Sequence, residues 1–167
     1  MFLKKQGVTD IIAISSVGSL RANLTPGTII IPDDYINLFN IKTFFDKKAT
    51  HIIPGLNENL RNKIKKATEK INQEIIFTGT YFQTSGPRFE TKAEIKMISQ
   101  FADIVGMTMA NEATLAKELG LNYACICMID NYANGIKPEI DLTEDDFKKA
   151  QLKNISKITK LLNEILK

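Results

Sequence analysis

Four short segments carry residue types suited to holding a flat, polar molecule next to an anion. In Thr84-Ser85-Gly86-Pro87-Arg88-Phe89-Glu90-Thr91, a Gly-Pro turn leads into Phe89, a ring able to stack on a planar ligand, and Glu90, a carboxylate able to accept from ring N–H groups. The plainer reading makes Phe89 a core residue and lets Glu90 favour a helix N-terminus. In Val105-Gly106-Met107-Thr108-Met109-Ala110-Asn111-Glu112, Thr108 either holds a phosphate oxygen or caps the next helix, and Met107 either touches a ligand or fills the core. In Ile129-Asp130-Asn131-Tyr132-Ala133-Asn134-Gly135, Asn131 offers a donor and an acceptor to a heterocycle, although Asn is also an ordinary turn residue. In Ser15-Ser16-Val17-Gly18-Ser19-Leu20, Gly18 permits a sharp turn and the N–H groups before it can face an anion.

The residues that are scarce narrow the chemistry further. His51 is the sole histidine, and Cys125 and Cys127 are the only cysteines. Alternation along Tyr123-Ala124-Cys125-Ile126-Cys127-Met128-Ile129 puts both thiols on one strand face, where they read as buried and inert. A Cys/His zinc centre or a His-bearing triad has almost nothing to be built from, so no metal is expected. Any reaction rests on carboxylates, hydroxyls, amides and backbone groups.

The elements that must position these segments alternate. Val8 to Ser16 reads as a buried strand feeding a small-residue loop, and Thr28-Ile29-Ile30-Ile31 as a second strand stopped by Pro32. Asn37 to Thr50 reads as an aromatic loop. Leu56, Leu60, Ile64, Ala67 and Ile71 form one apolar stripe of a helix. Ile75 to Thr84 reads as a strand, and Thr91-Lys92-Ala93-Glu94 is a capping box that opens a helix through Phe101. Ala102 to Met107 reads as a strand, Glu112 to Leu119 as a helix closed by Gly120, and Tyr123 to Ile129 as a strand. Asn131 to Ile140 is a loop with Gly135 and Pro138. Thr143 opens a last helix whose buried face is marked by Phe147, Leu152, Ile155, Ile158, Leu162 and Ile165.

This alternation predicts an α/β fold, a mixed and largely parallel central sheet flanked by helices, with its ligand site beyond the strands' carboxyl ends. With 167 residues, 44% of them apolar and 25% charged, residues 1–167 are expected to form a single domain. The net charge of 22 − 19 = +3 is interspersed along the chain, which argues against a nucleic-acid partner. No apolar run approaches a membrane span and the start lacks a signal-peptide pattern, so no membrane partner and a cytoplasmic location are expected.

Taken together, Val17-Gly18-Ser19-Leu20, Pro26-Gly27, Asp34-Tyr35-Ile36-Asn37, Gly86-Pro87-Arg88-Phe89-Glu90-Thr91, Gly106-Met107-Thr108 and Glu112 occur in an order and spacing that resemble the purine nucleoside phosphorylase and methylthioadenosine phosphorylase family, in its trimeric branch. The resemblance runs from Gly7 to about Ile136. It implies a nucleoside phosphorylase-like fold and a pentosyltransferase activity: phosphate attacks C1′ of a purine ribonucleoside, giving ribose 1-phosphate and free base. Such a reaction needs phosphate as co-substrate and no cofactor; the protein positions it and stabilises charge on the departing base.

By position, Ser16 resembles the residue whose backbone N–H holds phosphate and Thr108 the hydroxyl that does likewise. Val17 and Gly18 resemble part of the family's nucleoside-binding segment, Met107 the residue packed against the ribose and Phe89 the aromatic beside the base. Glu90 and Asn131 resemble the purine readers, hence the implied catalytic pair. His51 resembles a histidine that a neighbouring subunit lends to the 5′ end of the nucleoside, implying a homo-oligomer, a trimer or a multiple of it. Glu90 accepts from a protonated ring N1, which a 6-oxopurine carries and a 6-aminopurine lacks. Members that prefer adenine resemble a different pattern, with a small residue after the phenylalanine and aspartates in the later loop, where this chain has Asn131 and Ala133. The implied substrates are inosine and guanosine, with 5′-methylthioinosine open and 5′-methylthioadenosine as the alternative.

The chain departs from the family pattern at its start. The Gly-rich phosphate loop and the Arg and His that clamp phosphate have no counterpart, and Arg21, Arg61 and Arg88 stand in other contexts. The expectation is the carboxyl-terminal two-thirds of the fold, truncated at the amino terminus: Met1 to Gly7 reads as the tail of a helix, and absent strands would leave a bare sheet edge. Activity of the chain alone is expected to be weak or absent, and a catalytically dead base-binding or oligomer-forming subunit is the competing expectation.

Overall fold

The computed structural model describes residues 1–45, 47–137 and 144–167, the side chains of 144–151 and 153 excepted. Pro138, Ile140, Thr143 and the Phe147 side chain, which figure in the expectations above, lie outside them. In chain order the elements are α1 (Phe2–Lys5), β1 (Asp10–Ser19), β2 (Ile29–Ile30), β3 (Asp34–Ile36), α2 (Glu58–Lys70), β4 (Thr80–Gln83), α3 (Lys92–Ile98), β5 (Ile104–Gly106), α4 (Met109–Glu118), β6 (Asn122–Tyr132) and α5 (Glu144–Ile165).

The strands form one six-stranded sheet in the order β2-β6-β1-β5-β4-β3. β1/β6, β4/β5 and β3/β4 are parallel, and β1/β5 and β2/β6 antiparallel, so the sheet is mixed and largely parallel as expected. β6 shows why its sequence is apolar on both faces. Tyr123, Cys125, Cys127 and Ile129 pack towards α4 with Met109, Ala113 and Ala116. The alternate residues Ala124, Ile126 and Met128 pack with Leu60 and Ile64 of α2 and Leu161 and Ile165 of α5. A strand covered by helices on both sides must be hydrophobic throughout, unlike one with a solvated face. Both cysteines are free and buried, and burial pushes the Cys127 thiol up.

Several boundaries differ from expectation. Ser15 to Ser19 is not a loop but the continuation of β1, and Gly18 makes no sharp turn there. A Cβ on Gly18 would come within 3.2 Å of Val105 Cγ1 and 3.4 Å of Asn131 Nδ2, so close packing, not chain reversal, calls for glycine. β6 likewise runs on through Tyr132, carrying Asn131 inside the strand. The Ile75–Thr84 segment yields only a short β4, with an isolated bridge from Ile76 to Ile30. Asp34–Ile36, not anticipated as a strand, forms the far edge of the sheet. On α5, Leu152 and Ile155 are exposed, and the stripe facing the core is Asn154, Ile158, Leu161 and Ile165.

One side of β1 is bare. The strand pairs with β6 along its whole length but meets β5 only at Gly18 and Ser19, so Asp10–Val17 has no neighbouring strand on that side among the described residues. Ile14, which a sheet interior would cover, is 46% exposed.

Candidate functional site

The end of β1, where it meets β5 on one edge while still paired with β6 on the other, opens into a cavity of about 300 Å³. β1 supplies Ser16, Val17 and Gly18, the segment after β4 supplies Phe89 and Glu90, the β5–α4 junction Met107 and Thr108, and the end of β6 Asn131. Every residue given a site role from the sequence therefore lines one cleft except His51, which is exposed on the loop before α2. Glu112 and Asp34-Tyr35-Ile36-Asn37 also stay outside the lining. Glu112 accepts from the Tyr123 hydroxyl at 2.8 Å, in surroundings whose burial raises the Tyr123 pKa.

Glu90 is 9% exposed, and its setting is built locally. The Thr91–Glu94 capping box is present in full: Thr91 Oγ1 accepts from the Glu94 N–H at 3.2 Å and Glu94 Oε2 from the Thr91 N–H at 2.7 Å. The Arg88 guanidinium grips both Glu94 oxygens, at 2.8 and 2.9 Å, and these bonds hold the Glu94 carboxyl down at about 2. With helix start and turn thus pinned, Glu90 Oε1 accepts from Thr84 Oγ1 at 2.6 Å, and the Glu90 carbonyl accepts from Asn134 Nδ2 at 3.1 Å. Oε2 has no partner among the described residues and remains available as an acceptor.

The side chain of Thr108 does not act as a cap. Thr108 is the N-cap residue of α4 by position, yet its side chain makes no capping bond. The first N–H groups of α4 are served from β4 instead: Tyr81 Oη accepts from Thr108 N at 3.1 Å, and Gln83 Oε1 from Ala110 N at 3.1 Å. Both side chains are fully buried, which raises the Tyr81 pKa. Tyr81 reaches that place only because residue 106 is glycine, since a Cβ there would lie 2.4 Å from its hydroxyl. The exposed Thr108 hydroxyl is left uncommitted.

Asn131 donates one amide hydrogen to the Tyr132 carbonyl at 2.8 Å, keeping its second hydrogen and its oxygen for a ligand. Nothing in the sequence marks Thr84 and Asn134, which set Glu90, as more than loop residues; a hydroxyl six residues before a carboxylate carries no motif. The anion side is different. Among the described residues no Lys or Arg lines the cavity, and the three arginines are each committed to a carboxylate: Arg21 to Asp103, Arg61 to Glu58 and Arg88 to Glu94.

The arrangement suits a planar heterocycle read by a carboxylate and an amide, beside a small polar subsite. Comparison with known proteins agrees. The family described as "Phosphorylase superfamily" matches residues 1–167. The chain belongs to this superfamily. A probable 6-oxopurine nucleoside phosphorylase of Archaeoglobus fulgidus is 45% identical over 166 residues, 99% of this chain and 68% of the relative. A probable S-methyl-5′-thioinosine phosphorylase of Methanocaldococcus jannaschii is 42% identical, over 99% of this chain and 64% of its own length. The phosphorylase chain thus spans about two thirds of these relatives. Among solved structures, the methylthioadenosine phosphorylase of Schistosoma mansoni in complex with adenine superposes with a TM-score of 0.86, covering 98% of this chain and 66% of its own, at 23% identity. That likeness establishes the nucleoside phosphorylase fold.

Proposed function

We propose that residues 1–167 act as one domain carrying the nucleoside pocket of a phosphorylase for 6-oxopurine ribonucleosides: inosine, guanosine or 5′-methylthioinosine. The observation that carries this reading is the open Glu90 Oε2, in a cavity also lined by Asn131 and Phe89. A 6-oxopurine presents N1–H to that oxygen; a 6-aminopurine presents a lone pair and is repelled. Ala133 lines the same cavity where an acid would be needed to hold a 6-amino group, which disfavours 5′-methylthioadenosine.

In this reading phosphate, held by the Ser16 backbone N–H and the Thr108 hydroxyl, attacks C1′. The C1′–N9 bond breaks, a C1′–O bond forms, and the electron pair leaves with the base. Glu90 orients the purine and Asn131 donates to it as charge builds, a task that rewards donors fixed in advance. Val17 and Gly18 give the sugar a close floor, Met107 packs on it and Phe89 covers the base. Phosphate is the only co-substrate, with no cofactor. His51, exposed on a loop that also displays Leu38, Phe39 and Ile41, is suited to serve a neighbouring copy, and we place the protein in the cytosol as a homo-oligomer. The 5′-methylthioinosine option takes support from the M. jannaschii relative named for that activity.

A second reading, a base-binding or oligomer-forming subunit without turnover, is favoured by one observation: among the described residues no cation lines the phosphate side. Phosphate-dependent release of hypoxanthine from inosine tests both. Release that requires phosphate, with adenosine left intact, is the expected outcome for the enzyme. Preference for adenosine would overturn the substrate assignment. Hypoxanthine binding without any release would favour the second reading.

A further inference from the structure

β6 carries one residue more than β1 where the two reach the cavity: Val17 faces Ile129, and the next partner of Gly18 is Asn131. Asp130 is the extra, bulged residue. It is only 5% exposed, although a carboxylate so deep is ordinarily paired with a cation. Among the described residues no lysine, arginine or histidine pairs with it. Neutral donors from two other elements occupy its oxygens instead: Ser16 Oγ of β1 donates to Oδ2, and Asn154 Nδ2 of α5, itself 5% exposed, donates to Oδ1 at 2.8 Å. A bulge re-aims the side chains beyond it. Here it brings Asn131, not Asp130, over Gly18, whose missing Cβ would otherwise lie 3.4 Å from Asn131 Nδ2.

We propose that Asp130 is a positioning residue for the purine pocket: its carboxylate ties β1, β6 and α5 together at the bulge, so that Asn131 is held over the cavity and the Ser16 hydroxyl proton is kept out of it. This rests on the pocket reading above and deepens it. Two consequences follow from the same bonds. Any contact of Ser16 with an anion runs through its backbone, because its hydroxyl already donates to Asp130. Asn131 needs the bulge more than it needs the charge, so an amide at position 130, whose oxygen accepts from Ser16 and whose NH2 donates to the oxygen of an Asn154 amide turned over, preserves the arrangement.

The test compares Asp130→Ala, Asp130→Asn and Ser16→Ala with the parent chain in two measurements. The first follows the Asn131 side-chain amide resonances by nitrogen-15 NMR in the free protein; the second is calorimetric titration with hypoxanthine. Asp130→Ala is expected to displace or broaden the Asn131 amide pair and to weaken hypoxanthine at least about tenfold, the loss of one or two hydrogen bonds to a charged group. Asp130→Asn should restore both signals to within about twofold of the parent, a rescue that a purely stabilising charge would not show. Ser16→Ala, which removes one of the two ties and keeps the strand, should give an intermediate shift, and it serves if Asp130→Ala fails to fold. An Asn131 amide unmoved in Asp130→Ala and Ser16→Ala, or an Asp130→Asn variant as impaired as Asp130→Ala, overturns the proposal. If the parent itself fails to bind hypoxanthine, the pocket reading falls, and the Asn131 resonances still decide the role of Asp130.

Discussion

The two walls of the cavity are built in different ways. The base-facing wall, from Thr84 to Glu94 together with the end of β6, is closed on itself: each polar group that shapes it has its partner within the same stretch or on an adjoining strand. The wall proposed to face the anion is the end of β1, a strand whose Asp10–Val17 edge has no neighbouring strand, and near which no guanidinium or ammonium lines the cavity, among the described residues. Recognition of a ring can thus be complete in a short stretch of chain. Holding a multiply charged nucleophile needs cations brought from elsewhere, because a hydroxyl and backbone N–H groups alone supply weak, uncharged donors.

The largest consequence concerns turnover. Assayed beside the A. fulgidus relative with inosine and saturating phosphate, the 167-residue chain is expected to be slower by at least about a hundredfold, the scale on which a missing preorganised electrostatic contact acts. Rates within a few-fold of each other would erase the contrast between the walls. Next is Thr84→Val, which removes the only side-chain donor to Glu90 Oε1 among the described residues. A loss of about tenfold in hypoxanthine affinity is expected by calorimetry, from a carboxylate left free to rotate. An unchanged constant would mean that the base-facing wall does not depend on this bond.

Gly106→Ala probes the joint between the walls. The added methyl meets the buried Tyr81 hydroxyl, which serves the start of α4, so a loss of about 1–3 kcal/mol is expected by urea unfolding. The mildest effect is acid loosening of the base-facing wall. The Glu94 carboxyl is held at about 2 in the folded chain, below its ordinary value of 4.5, chiefly by its bonds to Arg88. Its contribution is fully present above about 4.5 and is lost as the pH falls towards 2. The protection of the Thr91 and Glu94 amides, relative to the unstructured rate at each pH, should fall across that window, while the amides of β6 stay protected.

The base-facing wall was also the legible one. Thr91 and Glu94 announce the capping box by spacing alone, and the turn before Phe89 is marked by Gly86-Pro87. Apolar runs mark strands: Tyr123 to Ile129 is covered on both faces as its composition implies, whereas Ile11-Ile12-Ala13-Ile14 is a strand only partly buried, and neither run marks where its strand ends. Ser15 to Ser19 has the small residues of a loop and is a strand, because Gly18 and Ser19 must pass close to β5. The bulge at Asp130 leaves no mark in a hydrophobicity pattern. It also misleads the reading of α5, since the residue facing Asp130 is the polar Asn154, which displaces the expected apolar stripe away from Leu152 and Ile155. The free hydroxyl of Thr108 was equally hidden, because it depends on Tyr81 and Gln83 taking over the helix start from a distant strand.

The most direct measurement is a paired titration of the 167-residue chain with hypoxanthine and with adenine, repeated with Glu90→Ala. If Glu90, Asn131 and Phe89 form one purine pocket, hypoxanthine binds more tightly than adenine by at least about tenfold, and the preference collapses in the variant. Equal affinity for the two bases, or a preference that survives the loss of the Glu90 carboxylate, would contradict it.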